Sequence, residues 1–136
     1  MLFGVIGGDR RQAELLKLLR QDGYQAAAYG TAGETDWERA VSAEVVLLPL
    51  PLCREGDTIN IEGEQRGIGA LLRQMRRNQL LLAGQVKPAQ AAEAAELDLN
   101  LIDYFKREEL TVANAAATAE GTVQVILERL ERSLLG

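Results

Sequence analysis

The amino-acid sequence predicts an α/β fold in which an open, parallel sheet of five strands carries helices on both faces. Short apolar segments, of the kind that parallel sheets bury on both faces, alternate along the chain with segments of helical periodicity. Most of these apolar segments stop at a glycine or a proline. The chain has 136 residues, the size of a single domain with one core. We therefore predict one domain over residues 1–136, a three-layer sandwich of the flavodoxin-like or Rossmann-like kind.

The five predicted strands are short and apolar, with small, branched or long aliphatic side chains at their centres. They are Leu2–Ile6, Tyr24–Tyr29, Glu44–Leu48, Gln79–Ala83 and Leu99–Ile102. The first two strands and the helix between them fit within the opening 29 residues, which is typical of a parallel βαβ unit. For the whole sheet we predict the strand order 2-1-3-4-5.

The predicted helices begin and end at recognisable signals. The first follows Asp9, has leucines at helical spacing and ends before Gly23, a good C-terminal cap. Thr35 and Glu38 fit a capping box at the start of a short second helix. A third helix is predicted over Ile68–Met75, and Pro88 starts a fourth that runs to about Glu96.

Two further segments differ from this pattern. Residues 50–67 form a connection between strand and helix that is long for a compact domain, and such connections are usually functional or mobile. The end of the chain predicts a last helix with an apolar stripe, formed by Val123, Ile126, Leu127, Leu130 and Leu134.

Composition excludes several classes of function. The net charge is −5 and the charges are interspersed, which disfavours nucleic-acid binding. The chain has no histidine and a single cysteine, Cys53, so neither a disulfide framework nor a thiolate metal site is expected. Cys53 has no histidine to activate it and is interpreted as a small packing residue. No apolar run is long enough to span a membrane, and we expect a cytoplasmic, metal-free domain.

In an open parallel sheet, ligands bind at the carboxyl ends of the strands where the strand order reverses. Here that point lies between the loops Gly7–Arg11 and Pro49–Cys53. The first loop lacks the G-x-G-x-x-G spacing of a dinucleotide site. Leu48-Pro49-Leu50 offers no carboxylate to a phosphoryl group, which excludes a phosphorelay receiver.

Flavin binding is disfavoured because the first loop has no hydroxyl group, and because Trp37 and the tyrosines are not expected near the loop ends. Two interpretations of the first loop stay open. In one, Gly7 and Gly8 let an anion approach the N–H groups at the helix start, and Arg11 binds a carboxylate bidentately. In the other, Asp9 caps the helix and the arginines are solvated.

Three motifs resemble the A chains of dipicolinate synthases. The first is Val5-Ile6-Gly7-Gly8-Asp9 followed by Arg11-Gln12, and the second is Leu47-Leu48-Pro49 leading to a loop with Gly56. The third and most specific runs from Tyr104 to Leu110, then through Asn114 to Thr118-Ala119-Glu120-Gly121-Thr122. The resemblance extends over nearly the whole chain, although its middle is loose.

The resemblance implies the amino-terminal domain of one subunit of an oxidoreductase. In that family a second, Rossmann domain binds NADP or NAD, and this domain is not expected within the present chain. A flavoprotein-like B subunit is the implied partner, and a dihydrodipicolinate-type dicarboxylate is oxidised to dipicolinate in the mother cell of a sporulating bacterium. The isolated domain would bind no cofactor and would be inactive alone. Homo-oligomerisation stays open.

By the same resemblance, two groups of residues are predicted to contact substrate in the cleft between domains: Gly8, Asp9, Arg11, Asn114, Thr118 and Glu120. Arg11 is predicted to hold one carboxylate, whereas catalytic residues are not assigned. Leu52-Cys53 stands where family members often have a serine, so a hydroxyl contact from that loop is in doubt. The alternative function is a free-standing flavodoxin-like binding or assembly domain without catalytic activity.

Overall fold

The computed structural model describes residues 2–103, which form strands and helices in alternation. The strands are β1 (Leu2–Ile6), β2 (Gln25–Thr31), β3 (Glu34–Thr35), β4 (Val45–Leu47), β5 (Cys53–Glu55), β6 (Thr58–Ile59), β7 (Leu80–Ala83) and β8 (Asn100–Asp103). The helices are α1 (Arg10–Gln21), α2 (Trp37–Val41), α3 (Ile68–Gln74) and α4 (Pro88–Glu96). The predicted last helix lies outside the described residues.

The main sheet has six strands in the order β3-β2-β1-β4-β7-β8. Its five parallel strands correspond to the five predicted ones, and their order confirms the predicted 2-1-3-4-5. The α/β fold with an open, mainly parallel sheet is thus confirmed. The sixth strand, β3, was not predicted; it is a two-residue antiparallel edge strand that pairs with β2.

Two apolar clusters lie on the two faces of this sheet because side chains alternate along each strand. On one face, Leu15, Leu16 and Leu19 of α1 pack on side chains that include Phe3 and Val5. On the other face, α2, α3 and α4 contribute Ala40, Leu71, Leu72 and Ala94. Within β7 the alternation is complete: Leu80 and Leu82 belong to the α1 cluster, whereas Leu81 and Ala83 belong to the other.

Two local predictions need correction. Asp36, not Thr35, caps α2, because the Asp36 side chain accepts from the Arg39 N–H while Thr35 belongs to β3. The connection over residues 50–67 contains the antiparallel hairpin β5–β6, which no apolar periodicity indicated. By contrast, Pro88 is the first residue of α4, as predicted. Asp9 caps α1, which is what one of the two open interpretations of the first loop requires.

Candidate functional site

Three of the predicted site residues lie together at the carboxyl edge of the sheet, where β1 leads into α1. Asp9 caps the helix by accepting a 2.9 Å hydrogen bond from the Arg11 backbone N–H through Oδ1. The Arg11 guanidinium lies 3.7 Å from the other oxygen of the same carboxylate. About half of the Arg11 side chain and more than half of the Asp9 side chain are exposed, at 49% and 60%. An incoming anion would therefore reach Arg11 from solvent, in competition with Asp9.

Gly8 precedes this cap, and its backbone N–H donates to the Asn60 carbonyl oxygen at 2.8 Å. The sequence had suggested that this part of the backbone could serve an anion. A role for Gly8 in substrate binding would therefore have to come from something other than this N–H group, and it stays a prediction. Asn114, Thr118 and Glu120, the other predicted site residues, lie outside the described residues.

The crevice between β1 and β4, where ligands bind in many sheets of this kind, is filled by Gln12. Its side-chain amide donates to the backbone oxygens of Ile6 and Leu47, each at 3.2 Å, so it bridges the ends of both strands. Gln12 is 7% exposed. A Cβ atom on Gly8 would lie 2.3 Å from the Gln12 Cγ, so this packing requires glycine at position 8.

Gln12 gives the first testable expectation. Replacing it by methionine keeps most of the side-chain volume but leaves two buried carbonyl groups without their donor. We expect Gln12→Met to lower the free energy of unfolding by about 1–3 kcal/mol in urea titrations. Gln21→Met, at an exposed position of the same helix, is the matched control and should change it by less than about 0.5 kcal/mol. Equal effects of the two substitutions would contradict the bridging role.

Asn60 contacts the loops on both sides of the same crevice. Its backbone oxygen accepts from Gly8, its backbone N–H donates to the Leu52 oxygen at 3.0 Å, and its side-chain Nδ2 donates to the Pro51 oxygen at 3.2 Å. Asn60 thus joins the loops that follow β1 and β4. A Cβ atom on Gly7 would lie 2.4 Å from the Asn60 oxygen. The close backbone approach expected of Gly7 is therefore made by the chain's own residue 60.

A cluster of Tyr29, Trp37, Glu64 and Arg66 holds the residues that follow Asn60 against the end of β2; we call it the Arg66 cluster. The Arg66 guanidinium lies 4.2 Å from the centre of the Trp37 ring and 5.3 Å from that of Tyr29. Glu64 Oε1 accepts from the Tyr29 hydroxyl and from Arg66 Nε, both at 2.9 Å. The hydrogen bonds to Tyr29 and Glu64 raise the pKa of Arg66 above its ordinary value.

The Arg66 cluster corrects, for Trp37 and Tyr29, the expectation that these aromatic residues lie away from the loop ends. Tyr29 pairs in register with Ile6 near the carboxyl edge, and its ring meets that of Trp37 edge to face at 5.0 Å. These rings pack against each other and against Arg66. Their contacts explain how residues 60–66 are fastened over the sheet edge.

Comparison with known proteins assigns this chain to a family. The family model described as the N-terminal domain of the dipicolinate synthase A subunit matches residues 2–105. The chain belongs to this family. Comparison with curated proteins found no match.

Two solved structures share the fold of this chain. The A chain of dipicolinate synthase from Bacillus subtilis is 19% identical, with a TM-score of 0.66 over 94% of this chain and 48% of that one. The corresponding dipicolinate synthase chain from Bacillus halodurans is 18% identical, with a TM-score of 0.63 over 93% and 48%. The present chain thus spans about half the length of these relatives.

The single cysteine of the chain is packed inside the fold. Cys53 is buried, and its Sγ accepts a hydrogen bond from the Gln90 side chain at 3.1 Å. Burial, together with the negative charge of Asp57, raises the pKa of the thiol. Within residues 2–103, no group of three acidic, histidine or cysteine side chains could hold a metal ion, and no helix is long and apolar enough to cross a membrane.

This environment gives a direct expectation for thiol reactivity. The thiolate is the reacting species, and Cys53 is both buried and harder to ionise. Native protein should therefore react with a thiol reagent at pH 8 at least about tenfold more slowly than protein unfolded in urea. Absorbance of the released chromophore measures both rates. Equal rates would show that the thiol is accessible in the folded domain.

Proposed function

We propose that this chain is the substrate-side domain of a dipicolinate synthase A subunit. In this proposal, its carboxyl edge binds a dihydrodipicolinate-type dicarboxylate, which is oxidised to dipicolinate with NADP or NAD held on a second domain. The observation that carries the proposal is the family match over residues 2–105, which includes the exposed Asp9–Arg11 segment at the carboxyl edge. The expected setting is the cytoplasm of a sporulating mother cell, and the expected partner is a B subunit.

Arg11 is the group best suited to the substrate's charge. A guanidinium group presents parallel N–H donors that match a carboxylate bidentately, and charge-assisted hydrogen bonds of this kind are the strong ones. The amino terminus of α1, directly beside it, also favours negative charge. Asp9 caps α1 through Oδ1 and forms an ion pair with the Arg11 guanidinium through Oδ2. A bound carboxylate would replace Asp9 in the ion pair, while the cap hydrogen bond is kept.

The loop between β1 and α1 does not fit the nicotinamide cofactor itself. A dinucleotide needs small residues and open N–H groups where its pyrophosphate meets the helix. Here Gln12 fills the crevice, Asn60 takes the Gly8 N–H, and Asp9 places a carboxylate at the helix start. These contacts support a division of labour in which this domain holds substrate and another one holds the cofactor.

Reading the gene beyond codon 136 is the first test, and an assay of the encoded polypeptide is the second. We expect a further strand followed by G-x-G-x-x-G, and dipicolinate formation with reduction of NADP⁺ or NAD⁺ when the complete polypeptide and its B subunit receive the dihydro precursor. A stop codon at that point, or a complete enzyme that forms no dipicolinate, would overturn the proposal.

A further inference from the structure

The peptide group between Gly7 and Gly8 is held at both of its polar atoms, directly before the Asp9–Arg11 segment. The Gly7 carbonyl oxygen accepts a 2.6 Å hydrogen bond from the Thr31 hydroxyl. The Gly8 N–H, which belongs to the same peptide plane, donates to the Asn60 oxygen at 2.8 Å. The two partners come from distant parts of the chain, the end of β2 and the residue after β6. Together they fix the orientation of one peptide plane.

Two successive glycines leave this peptide free to rotate unless other groups hold it. Both Gly7 and Gly8 have positive φ, at +58° and +83°. Glycine adopts positive and negative φ about equally readily, so a peptide between two glycines can change its orientation at little backbone cost. The backbone alone therefore does not determine which way the Gly7 carbonyl group points. The Thr31 hydroxyl and the Asn60 oxygen supply that preference.

An irregularity at the end of β2 places Thr31 for this contact. The register of β2 on β3 shifts between Tyr29 and Thr31, which leaves Gly30 as an extra residue, as in a β-bulge. Bulges re-aim the side chains next to them. Gly30 has φ +70°, and a Cβ atom on it would lie 2.7 Å from Ile61 Cγ2 and 3.6 Å from Gly7 Cα. The irregular end of β2 is thus packed against the turn that Thr31 contacts.

Burial makes the hydrogen bond between Thr31 and Gly7 hard to replace by water. Thr31 is only 4% exposed, and Gly7 is buried as well. A buried hydroxyl or carbonyl group without a partner is costly, so each of these two groups depends on the other. Gln12, another buried polar side chain at this turn, anchors the start of α1 to the strand ends. Thr31 anchors the peptide that precedes the cap of the same helix.

We propose that Thr31 is a positioning residue for substrate binding that acts through Arg11, an inference that rests on the proposed function. Gly8 leads directly into Asp9, whose Oδ1 caps α1 and whose Oδ2 pairs with the Arg11 guanidinium. A rotation of the Gly7–Gly8 peptide would therefore displace both charged side chains. A guanidinium binds a carboxylate through two parallel N–H groups, which makes the contact sensitive to direction. The Thr31 hydroxyl keeps Arg11 aimed without touching the substrate, and this lowers the cost of ordering the site on binding.

Amide hydrogen exchange tests the hold on the turn without any ligand. In the full 136-residue chain, Thr31→Val removes the hydroxyl and keeps the shape of the side chain. We expect exchange at the Gly8 amide to become about tenfold faster relative to the buried Val46 amide of β4, because the turn loosens and the sheet does not. The matched control, Gln79→Met, removes two hydrogen bonds of a buried side chain at the amino edge of the sheet. It should leave this ratio unchanged.

Kinetics of the complete enzyme with its B subunit test the effect on substrate. We expect Thr31→Val to raise KM for the dicarboxylate precursor about 3- to 10-fold with little change in kcat, a size that one ordinary hydrogen bond supports. Thr31→Ser keeps the hydroxyl and should restore KM, and Gln79→Met should leave KM unchanged. In an Arg11→Ala background, Thr31→Val should raise KM no further, because the residue through which Thr31 acts is gone. Thr31→Ala removes the same hydroxyl and replaces Thr31→Val should valine prevent folding.

The role of Thr31 is overturned by an unchanged exchange ratio in Thr31→Val, or by an equal change of that ratio in Gln79→Met. It is also overturned if Thr31→Val leaves KM unchanged in an enzyme whose KM rises with Arg11→Ala, or if its effect persists in full without Arg11. An unchanged KM in Arg11→Ala would refute the carboxylate contact of the proposed function, and the positioning role with it, even where the exchange ratio has changed. The exchange ratio thus separates a failure at Thr31 from a failure of the proposed function.

Discussion

Replacing Arg11 by alanine in the complete enzyme should raise KM for the dicarboxylate precursor about 10- to 100-fold while kcat changes little. The size follows from the loss of charge-assisted hydrogen bonds, worth about 1.5–3 kcal/mol, at roughly 1.4 kcal/mol per factor of ten. KM carries the effect because the carboxylate is held in the ground state as well as in the transition state. Initial rates of dipicolinate formation at varied precursor concentration measure both constants.

Arg10→Ala is the matched control for this substitution. Arg10 is exposed, carries the same charge and precedes Arg11 directly, but a helix turns 100° between the two residues. It therefore removes one positive charge from the same end of α1 without removing the proposed contact. Unchanged KM and kcat in Arg11→Ala, or an equal change in both variants, would show that Arg11 does not hold the carboxylate.

The parallel core of the fold could be predicted from the sequence because its signals are local. Val45–Leu47 and Leu80–Ala83 are continuous apolar segments, and the helices between strands begin at local signals such as the cap Asp9 and the first-turn proline Pro88. β3 escaped prediction because two residues carry no periodicity. It forms where the chain turns back at Ala32 and Gly33, both with positive φ, and pairs with β2.

The candidate site was predictable only in part, since its closure depends on residues that are distant in sequence. The Asn60 backbone oxygen accepts from the Gly8 N–H, which is distant in sequence, and nothing near Asn60 in the sequence indicates that contact. Gln12 did leave a signal. It occupies the first position of the buried stripe that continues with Leu15, Leu16 and Leu19. The pattern thus indicates that a polar side chain is buried at this position. A buried amide at a helix start predicts backbone partners, which here are the ends of β1 and β4.

The Arg66 cluster shows the same dependence on tertiary contacts. Tyr29 and Trp37 belong to β2 and α2, whereas Glu64 and Arg66 come from the long connection. Only folding brings the charged groups of Glu64 and Arg66 into contact with the two aromatic side chains. The prediction of a functional or mobile connection from its length alone did not foresee that residues 60–66 are fastened at both ends, to Gly8 and to Tyr29.

Gly7→Ala should be the most destabilising of the substitutions considered, with a loss of about 3 kcal/mol or more in the free energy of unfolding. Gly7 has φ +58°, and a side chain in this left-handed region costs roughly 1–2 kcal/mol. The added Cβ would also lie 2.4 Å from the Asn60 oxygen and 2.8 Å from Ile61 Cγ1, and overpacking of this kind costs about 1–3 kcal/mol more. Urea denaturation followed by circular dichroism measures the loss.

Gly33→Ala separates the two contributions. Gly33 has φ +74°, so alanine meets a similar backbone cost there, but no atom lies within 4 Å of its added Cβ. We expect this control to lose only about 1–2 kcal/mol. The difference in lost free energy of unfolding between the two variants then measures how tightly residues 60 and 61 pack on the loop after β1. Tight packing there would hold the Asp9–Arg11 segment rigidly in place for a ligand. Equal losses would mean that this segment yields easily, and that the carboxyl edge is shaped by the ligand rather than prepared for it.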